Sequence, residues 1–384
     1  MKLKTVLLGI LVTTIILCIL GLSLITGSLD FKSNNNNIDL ANNENTIKIG
    51  ATLALSGEIA SYGLNSKEAI DLALQEINEK DGINGRKLEI VFEDTKCDSK
   101  EASTAVQKLI NLDKITVIIG GFCSNETLAI APIIEEKHVI AISPGSTAAS
   151  ISDAGDYVFR TIPSDDFEAK FDAEYVKNKL KYEKAAILYC LSDWCEGLKQ
   201  GFQEEFESLG GKVIAVESFE SSSTDLRTQL IRIKEAKPEV IYFVANVNSA
   251  TAGIKQAKEL NINTQIFGTA ITDQTIWNTV GSAGNGIIFS AQDSSASEEF
   301  QKKMVEKTGK TPDQFAAYAY DATHIIAGIM QKVGTNVEDI KKELYKIKDY
   351  NGASGQITLD KQGDNINAKY KVMEVVNGKP RVRE

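Results

Sequence analysis

From Ile47 onward, short runs of β-branched and apolar residues alternate with longer amphipathic stretches, and this alternation constrains the fold most. The runs at 47–55, 88–92, 115–119 and 139–142 are apolar almost throughout. That is the pattern of strands covered by helices on both faces of a parallel sheet. Between them lie stretches such as SKEAIDLALQEINEK (66–80), which carries Ala69, Leu72, Ala73 and Ile77 on one helical face. GINGRK (82–87) supplies the turn chemistry between helix and strand.

The alternation breaks at SDAGDYVFRTIPSDD (152–166), which is turn-rich, and then restarts. Strands are expected at 185–189, 213–216, 240–244 and 266–268, with helices near 167–181, 195–209, 225–236 and 248–260. Another apolar strand follows near 286–290, then two helices (about 296–308 and 313–333), and the tail segments GQITLD and YKVMEVVNGK read as strands. The chain is therefore expected to be α/β, with two doubly wound lobes and more than one passage between them. The expected division is 47–164 plus 288–350 for lobe 1 and 165–287 plus 351–384 for lobe 2. A chain of 384 residues is long enough for two such cores.

The first thirty residues stand outside this pattern. Lys2 and Lys4 precede an uncharged stretch, 5–26, long enough to span a bilayer as a helix. Residues 1–30 are expected to be an uncleaved membrane anchor with the rest of the chain outside the cytoplasm; a cleaved signal peptide is the alternative. The Asn-rich segment within 31–46 is expected to be a flexible spacer. Cys18 lies in the apolar stretch, and Leu17 before it is bulky where a lipoprotein signal wants a small residue. The net charge of −10 argues against a nucleic-acid partner, which would select a basic face.

Four cysteines remain, and export favours disulfides. The spacing of Cys190 and Cys195 fits a bridge closing a short loop, which leaves Cys97 with Cys123. A zinc site is the alternative, but the two histidines, His138 and His324, are distant from any cysteine in sequence. Neither belongs to a Ser-His-Asp pattern: His138 follows a helix end, and His324 is expected to pack within an apolar helix. Tyr318, Tyr320 and Asp321 on that helix could reach a cleft edge or fill the core. The glycosylation sequon at Asn125 lies at a helix start, a poor place for a glycan.

Two strand ends carry polar switches. VIIGGFCSNETLAI (117–130) passes from strand to Gly120-Gly121 and on to a helix near Ser124, and VIAISPGSTAAS (139–150) repeats the layout with Gly145, Ser146 and Thr147. In open parallel sheets ligands bind beyond the carboxyl ends of strands. Helix starts there present unpaired N–H groups and a partial positive charge. Glycine admits a close backbone approach, and Ser124, Ser146 and Thr147 add hydroxyl donors, so together the loops suit a carboxylate or similar small anion. The same hydroxyls could serve only as helix caps. Neither loop has the Gly-Lys-Ser/Thr ending of a nucleoside-triphosphate site.

The segment IGATLALSGEIASYGLNSKEAIDLALQEINEKDGINGRKLEIVFEDTKCD resembles the opening of the branched-chain amino-acid binding proteins, the type I periplasmic solute-binding proteins of ABC importers. GGFCS, ISPGST, VFRTIPSDD, DWCEGL and AYAYDA recur in that family in the same order, and the resemblance runs over about 47 to 375. It implies two Rossmann-like lobes joined by three crossover segments and closing on a small solute. It also places Cys97 and Cys123 where members carry a disulfide. Ser124, Gly145, Ser146 and Thr147 match positions that hold an amino acid's carboxylate and amino group. Tyr62 matches a cleft-lining aromatic, Trp194 a second-lobe aromatic that covers the solute, and Asn246 and Ala270 the remaining second-lobe contacts. Ala270 departs from the family, which generally has an acid there to pair with the ammonium, and Asn246 stands where an aromatic is frequent. Asp273 or Asp193 is the substitute acid on this reading, or either is a solvated loop residue. The resemblance thus implies a receptor, not an enzyme, without cofactor or metal, that captures a small carboxylate-bearing solute such as an amino acid and delivers it to an ABC permease. The same fold also serves as the ligand-sensing component of signalling systems, the alternative expectation.

Overall fold

A computed structural model of the chain describes residues 45–269, 271–293 and 296–383. The expected membrane segment and the spacer up to residue 44 lie outside these, as does Ala270. No helix among the described residues is long and apolar enough to cross a membrane.

Strand β1 (Thr46–Leu53) is buried at nearly every position because helices cover both faces of its sheet. It pairs in parallel with β2 (Lys87–Asp94) on one side and β3 (Val117–Ile119) on the other. With β4 (Ile140–Ser143) and β5 (Val158–Arg160), the order is β2-β1-β3-β4-β5, parallel throughout. The helices Ala60–Glu79, Ser99–Asn111 and Ser124–Lys137 make the crossovers. The second of these starts on Asp98, whose carboxylate accepts from the N–H groups of Lys100 and Glu101 at 2.9 Å. The core of this lobe also takes in Ile325, Ile326 and Ile329 from the late helix Gln314–Val333.

The second sheet is built from β6 (Lys184–Leu191), β7 (Lys212–Glu220), β8 (Val240–Val244), β9 (Gln265–Thr269), β10 (Ile288–Gln292), β13 (Tyr370–Val376) and β14 (Lys379–Val382). Its order is β14-β13-β10-β9-β8-β6-β7, with β13 and β14 antiparallel to their neighbours. Its core includes stacked rings of Phe202 on Tyr242 and of Trp277 on Phe289. These are the two α/β lobes that the alternation of strands and helices indicates.

Two boundaries differ from expectation. Ile288–Gln292 pairs with β9 and β13, so it lies inside the second sheet and does not open the return to lobe 1. The hairpin of β11 (Tyr350–Gly352) and β12 (Gly355–Ile357) sends Ile357, with Leu359 after it, into the core of the first lobe, not the second. Asp321 holds that hairpin by accepting from the backbone N–H groups of Ala353 (2.7 Å) and Ser354 (2.8 Å). The chain thus passes between lobes after β5, after β10 and after β12. The passages run side by side: the Asn365 side chain donates to the Thr161 carbonyl at 2.7 Å, and the Asp293 N–H donates to the Lys369 carbonyl at 2.6 Å.

Candidate functional site

The two polar switches of the first lobe lie against each other and are stitched at one atom. The Gly121 carbonyl accepts from the hydroxyls of Ser143 (2.6 Å), Ser146 (3.0 Å) and Thr127 (3.1 Å). Ser146 is fully buried and also shares a hydrogen bond with Thr127 at 2.7 Å, so its hydroxyl is engaged inside the protein. Ser124 is placed differently. Its oxygen accepts from the Ala148 N–H at 3.1 Å, which joins the two loops and leaves its hydroxyl hydrogen to donate. Thr147 is half-buried, and its carbonyl accepts from the Asp165 N–H at 2.8 Å, at the first passage between lobes.

The helix start is only partly open. The buried Glu126 carboxylate turns back and accepts from the N–H groups of Phe122 and Cys123, both at 2.9 Å. Two of the N–H groups that sequence reasoning offered to an anion therefore have an internal partner. Gly145 is needed for packing as well: a Cβ there would lie 2.6 Å from the Phe122 carbonyl oxygen and 3.2 Å from its ring. Asn125 donates to the Cys97 carbonyl (3.0 Å) and the Ser99 hydroxyl (3.2 Å), so its amide is tied into the helix start.

Arg160, which sequence reasoning did not single out, shapes this region from below. It is fully buried on β5, and its guanidinium donates to the Ala148 carbonyl (2.9 Å), the Ser146 carbonyl (3.3 Å) and the Ser152 hydroxyl (2.8 Å). The same group pairs with Asp364 on the third passage at 2.6 and 2.9 Å. One cation thus fixes the 145–149 loop to two of the passages between lobes.

Aromatic rings extend from these loops to the second lobe. Phe122 meets Phe315 edge-on at 5.5 Å, and Phe315 meets Tyr62 at 5.2 Å. The Tyr62 hydroxyl then donates to Asp273 of the second lobe at 2.6 Å. Burial, and then the bond to Asp273, push the Tyr62 phenol above its ordinary range. Burial works against ionisation of Asp273, but hydrogen bonds from Thr275 and Tyr62 outweigh it and hold the carboxyl low. Asp313 caps the helix that carries Phe315, donated to by the Ala316 N–H at 3.0 Å. Burial, with the nearby Asp273 charge, pushes Asp313 up to about 7 against its backbone donors. Phe315 was also missed from the sequence; its signal is that it is the first aromatic after the cap at Asp313.

The other second-lobe candidates occupy helix starts. Trp194 is half-buried in the first turn of Asp193–Ser208, inside the loop closed by Cys190 and Cys195, while Asp193 beside it is exposed. A Cβ on Gly197, one turn on, would lie 3.5 Å from the Ala149 backbone nitrogen, so this helix start approaches the 145–149 loop. Asn246 caps Val247–Glu259: its oxygen accepts from the Ser249 N–H at 3.0 Å and its amide donates to the Ser221 carbonyl at 2.6 Å. Both disulfides form, with Cα–Cα distances of 5.4 Å for Cys97–Cys123 and 5.6 Å for Cys190–Cys195. No cluster that could hold a metal ion is found among the described residues.

The remaining sequence candidates lie elsewhere. Tyr318 donates to Gln292 at 3.0 Å, and Tyr320 donates to Glu76 on the first lobe's surface. His324 also meets Glu76, at 3.2 Å, so it belongs to a polar cluster with Tyr320 and Lys303 and is not simply packed among apolar groups.

Two α/β lobes joined by three neighbouring passages, with strand-end loops of one facing helix starts of the other, define a two-lobed binding protein. The chain belongs to the periplasmic binding protein family, whose pattern matches residues 46–380. The leucine-, isoleucine-, valine-, threonine- and alanine-binding protein of Pseudomonas aeruginosa is 25% identical over 335 residues, covering 86% of this chain and 90% of its own length. A leucine binding protein from Thermotoga maritima has the same fold with a TM-score of 0.79 and 28% identity, over 88% of this chain and 98% of its own. A branched-chain amino acid transporter substrate binding protein from Streptococcus pneumoniae, solved in complex with isoleucine, aligns with a TM-score of 0.77 and 28% identity, over 88% and 99%. Membership of this family places the folded part outside the cytoplasm and among solute-binding proteins.

Proposed function

We propose that the protein captures a branched-chain α-amino acid between its lobes and delivers it to an ABC permease. The observation that carries this reading is the stitched pair of loops, which leaves the Ser124 hydroxyl hydrogen to donate at a helix start, with the half-buried Thr147, whose side chain also bonds Asp165, in the adjoining loop. Such a site favours a carboxylate. Ser146 acts by holding the loops together, and Gly145 by letting Phe122 close over them. Tyr62, Phe122 and Phe315 offer an apolar wall that suits an aliphatic side chain, with Trp194 covering it from the second lobe and Asn246 shaping the wall beside it. Asp273 supplies the negative charge for the ammonium in place of the acid absent at position 270. Its two oxygens take three donors within the protein, and a carboxylate has about four acceptor sites. The names of the relatives support the choice of solute, and the uncharged stretch at 5–26 supports attachment of the domain to the membrane.

Calorimetric titration with leucine, isoleucine and valine tests the reading. Ser124→Ala and Thr147→Ala are each expected to weaken binding by about 1–3 kcal/mol, the range for hydrogen bonds to a charged group. Full affinity in both variants would refute the assignment of the loops to the carboxylate.

A further inference from the structure

The two lobes touch through side chains at a place set apart from the passages that join them. The Tyr62 hydroxyl donates to Asp273 at 2.6 Å, across 211 residues of chain. Beside it, the Asn248 amide donates to Glu58 at 2.7 Å, across 190 residues. Glu58 and Tyr62 flank the start of the helix Ala60–Glu79 in the first lobe. Asn248 sits in the first turn of Val247–Glu259, and Asp273 caps the helix Gln274–Val280, both in the second lobe. We propose that these four residues form a latch which holds the lobes closed and sets the lifetime of the bound state.

Both arms of the latch are rigid, which a closing device requires. In the first lobe, the turn before Glu58 is held by Asp94, which accepts from the N–H groups of Leu55 (3.0 Å) and Ser56 (3.2 Å) and from Lys96 (3.1 Å). Gly63 lies against the end of β1 so closely that a Cβ there would collide with the Ala54 carbonyl. Phe315 packs edge-on against the Tyr62 ring and fixes its direction. In the second lobe, Asp273 is anchored by the Thr275 N–H (2.7 Å) and hydroxyl (2.6 Å), so the oxygen facing Tyr62 is held in place.

Strength is divided unequally between the two points. Tyr62–Asp273 is half-buried and joins a donor to an ionised acceptor, whereas Glu58–Asn248 is exposed and competes with water. A contact present only when the lobes are together slows opening more than it speeds encounter, so its loss should appear in the dissociation rate.

Stopped-flow tryptophan fluorescence with isoleucine tests the latch, which rests on the proposed amino-acid binding only for this probe. Tyr62→Phe keeps the ring and removes the donor; it is expected to raise the dissociation rate about 10–100-fold with the association rate within about twofold. Glu58→Ala is expected to raise the dissociation rate about 2–10-fold, and the double variant to exceed either single change. Because Tyr62 and Asp273 also face the proposed ligand, Glu58→Ala decides: unchanged dissociation in that variant, or an effect confined to association, overturns the latch. If the wild-type protein binds neither isoleucine nor leucine, the functional reading fails and small-angle scattering of the ligand-free proteins decides the latch alone. A larger radius of gyration for Tyr62→Phe/Glu58→Ala then supports it, and equal radii overturn it.

Discussion

Arg160→Met is expected to destabilise the protein by about 3–5 kcal/mol, the cost of breaking a buried ion pair by removing one partner. Arg160 has no exposed surface and Asp364 is buried with it, so the substitution leaves a carboxylate without its cation. It also removes the guanidinium from the Ser146 and Ala148 carbonyls, the second of which keeps only the Ile151 N–H, and the loop that carries Thr147 loses its support. Urea unfolding of the exported domain measures the loss. Arg160→Met combined with Asp364→Asn should recover part of the stability because the buried charge is gone. It should not recover tight binding, because the loop carbonyls remain without Arg160. A loss below about 1 kcal/mol for Arg160→Met would mean that water replaces the guanidinium and that the pair is not structural.

The second large effect concerns Cys97–Cys123. The bridge closes a loop with a sequence separation of 26, for which the chain-entropy account gives about 3–4 kcal/mol. The Cys190–Cys195 bridge, with a separation of 5, should contribute less, about 2 kcal/mol. Paired serine variants compared by urea unfolding test the order of the two. Cys123 adjoins Ser124, so the first pair of substitutions should weaken ligand binding as well as stability. Equal losses from the two pairs would contradict the loop-length argument.

Much of this architecture was legible because each element agreed with its neighbours. The apolar β-branched runs are buried strands, the amphipathic stretches are helices, and the disulfides are the one that spacing indicated, Cys190–Cys195, and the one left by elimination, Cys97–Cys123. The lobe boundaries were less legible for a physical reason. A strand such as Ile288–Gln292 is equally apolar whichever sheet receives it, and only its pairing with β9 and β13 assigns it. The hairpin at 350–357 has the same ambiguity, resolved by Asp321 from a helix some thirty residues earlier.

Within the candidate site, sequence indicated that the loops at Ser124 and at 145–147 share one end of the sheet, but not what each hydroxyl or carboxylate does. Ser146 and Ser124 look alike in sequence, yet one is turned inward to Gly121 and Thr127 while the other keeps a hydrogen to donate. Glu126 was unremarked in the sequence, yet it occupies two N–H groups of the helix start. Arg160 was hidden within VFRTIPSDD, where an arginine near a turn reads as a solvated side chain until its burial is known. Asp273 was legible as an acid near the cleft, but its bond to Tyr62 joins two lobes and has no local signature.

The most direct measurement is mass spectrometry of whatever small molecule is released when the purified soluble domain, residues 45–384, is denatured. Capture of a branched-chain amino acid by the loops at Ser124 and Thr147 predicts release of leucine, isoleucine or valine in near-stoichiometric amount, and far less of it from Ser124→Ala. A released ligand with neither a carboxylate nor a carbonyl group would contradict the account, because nothing in it would meet the donors of those two loops.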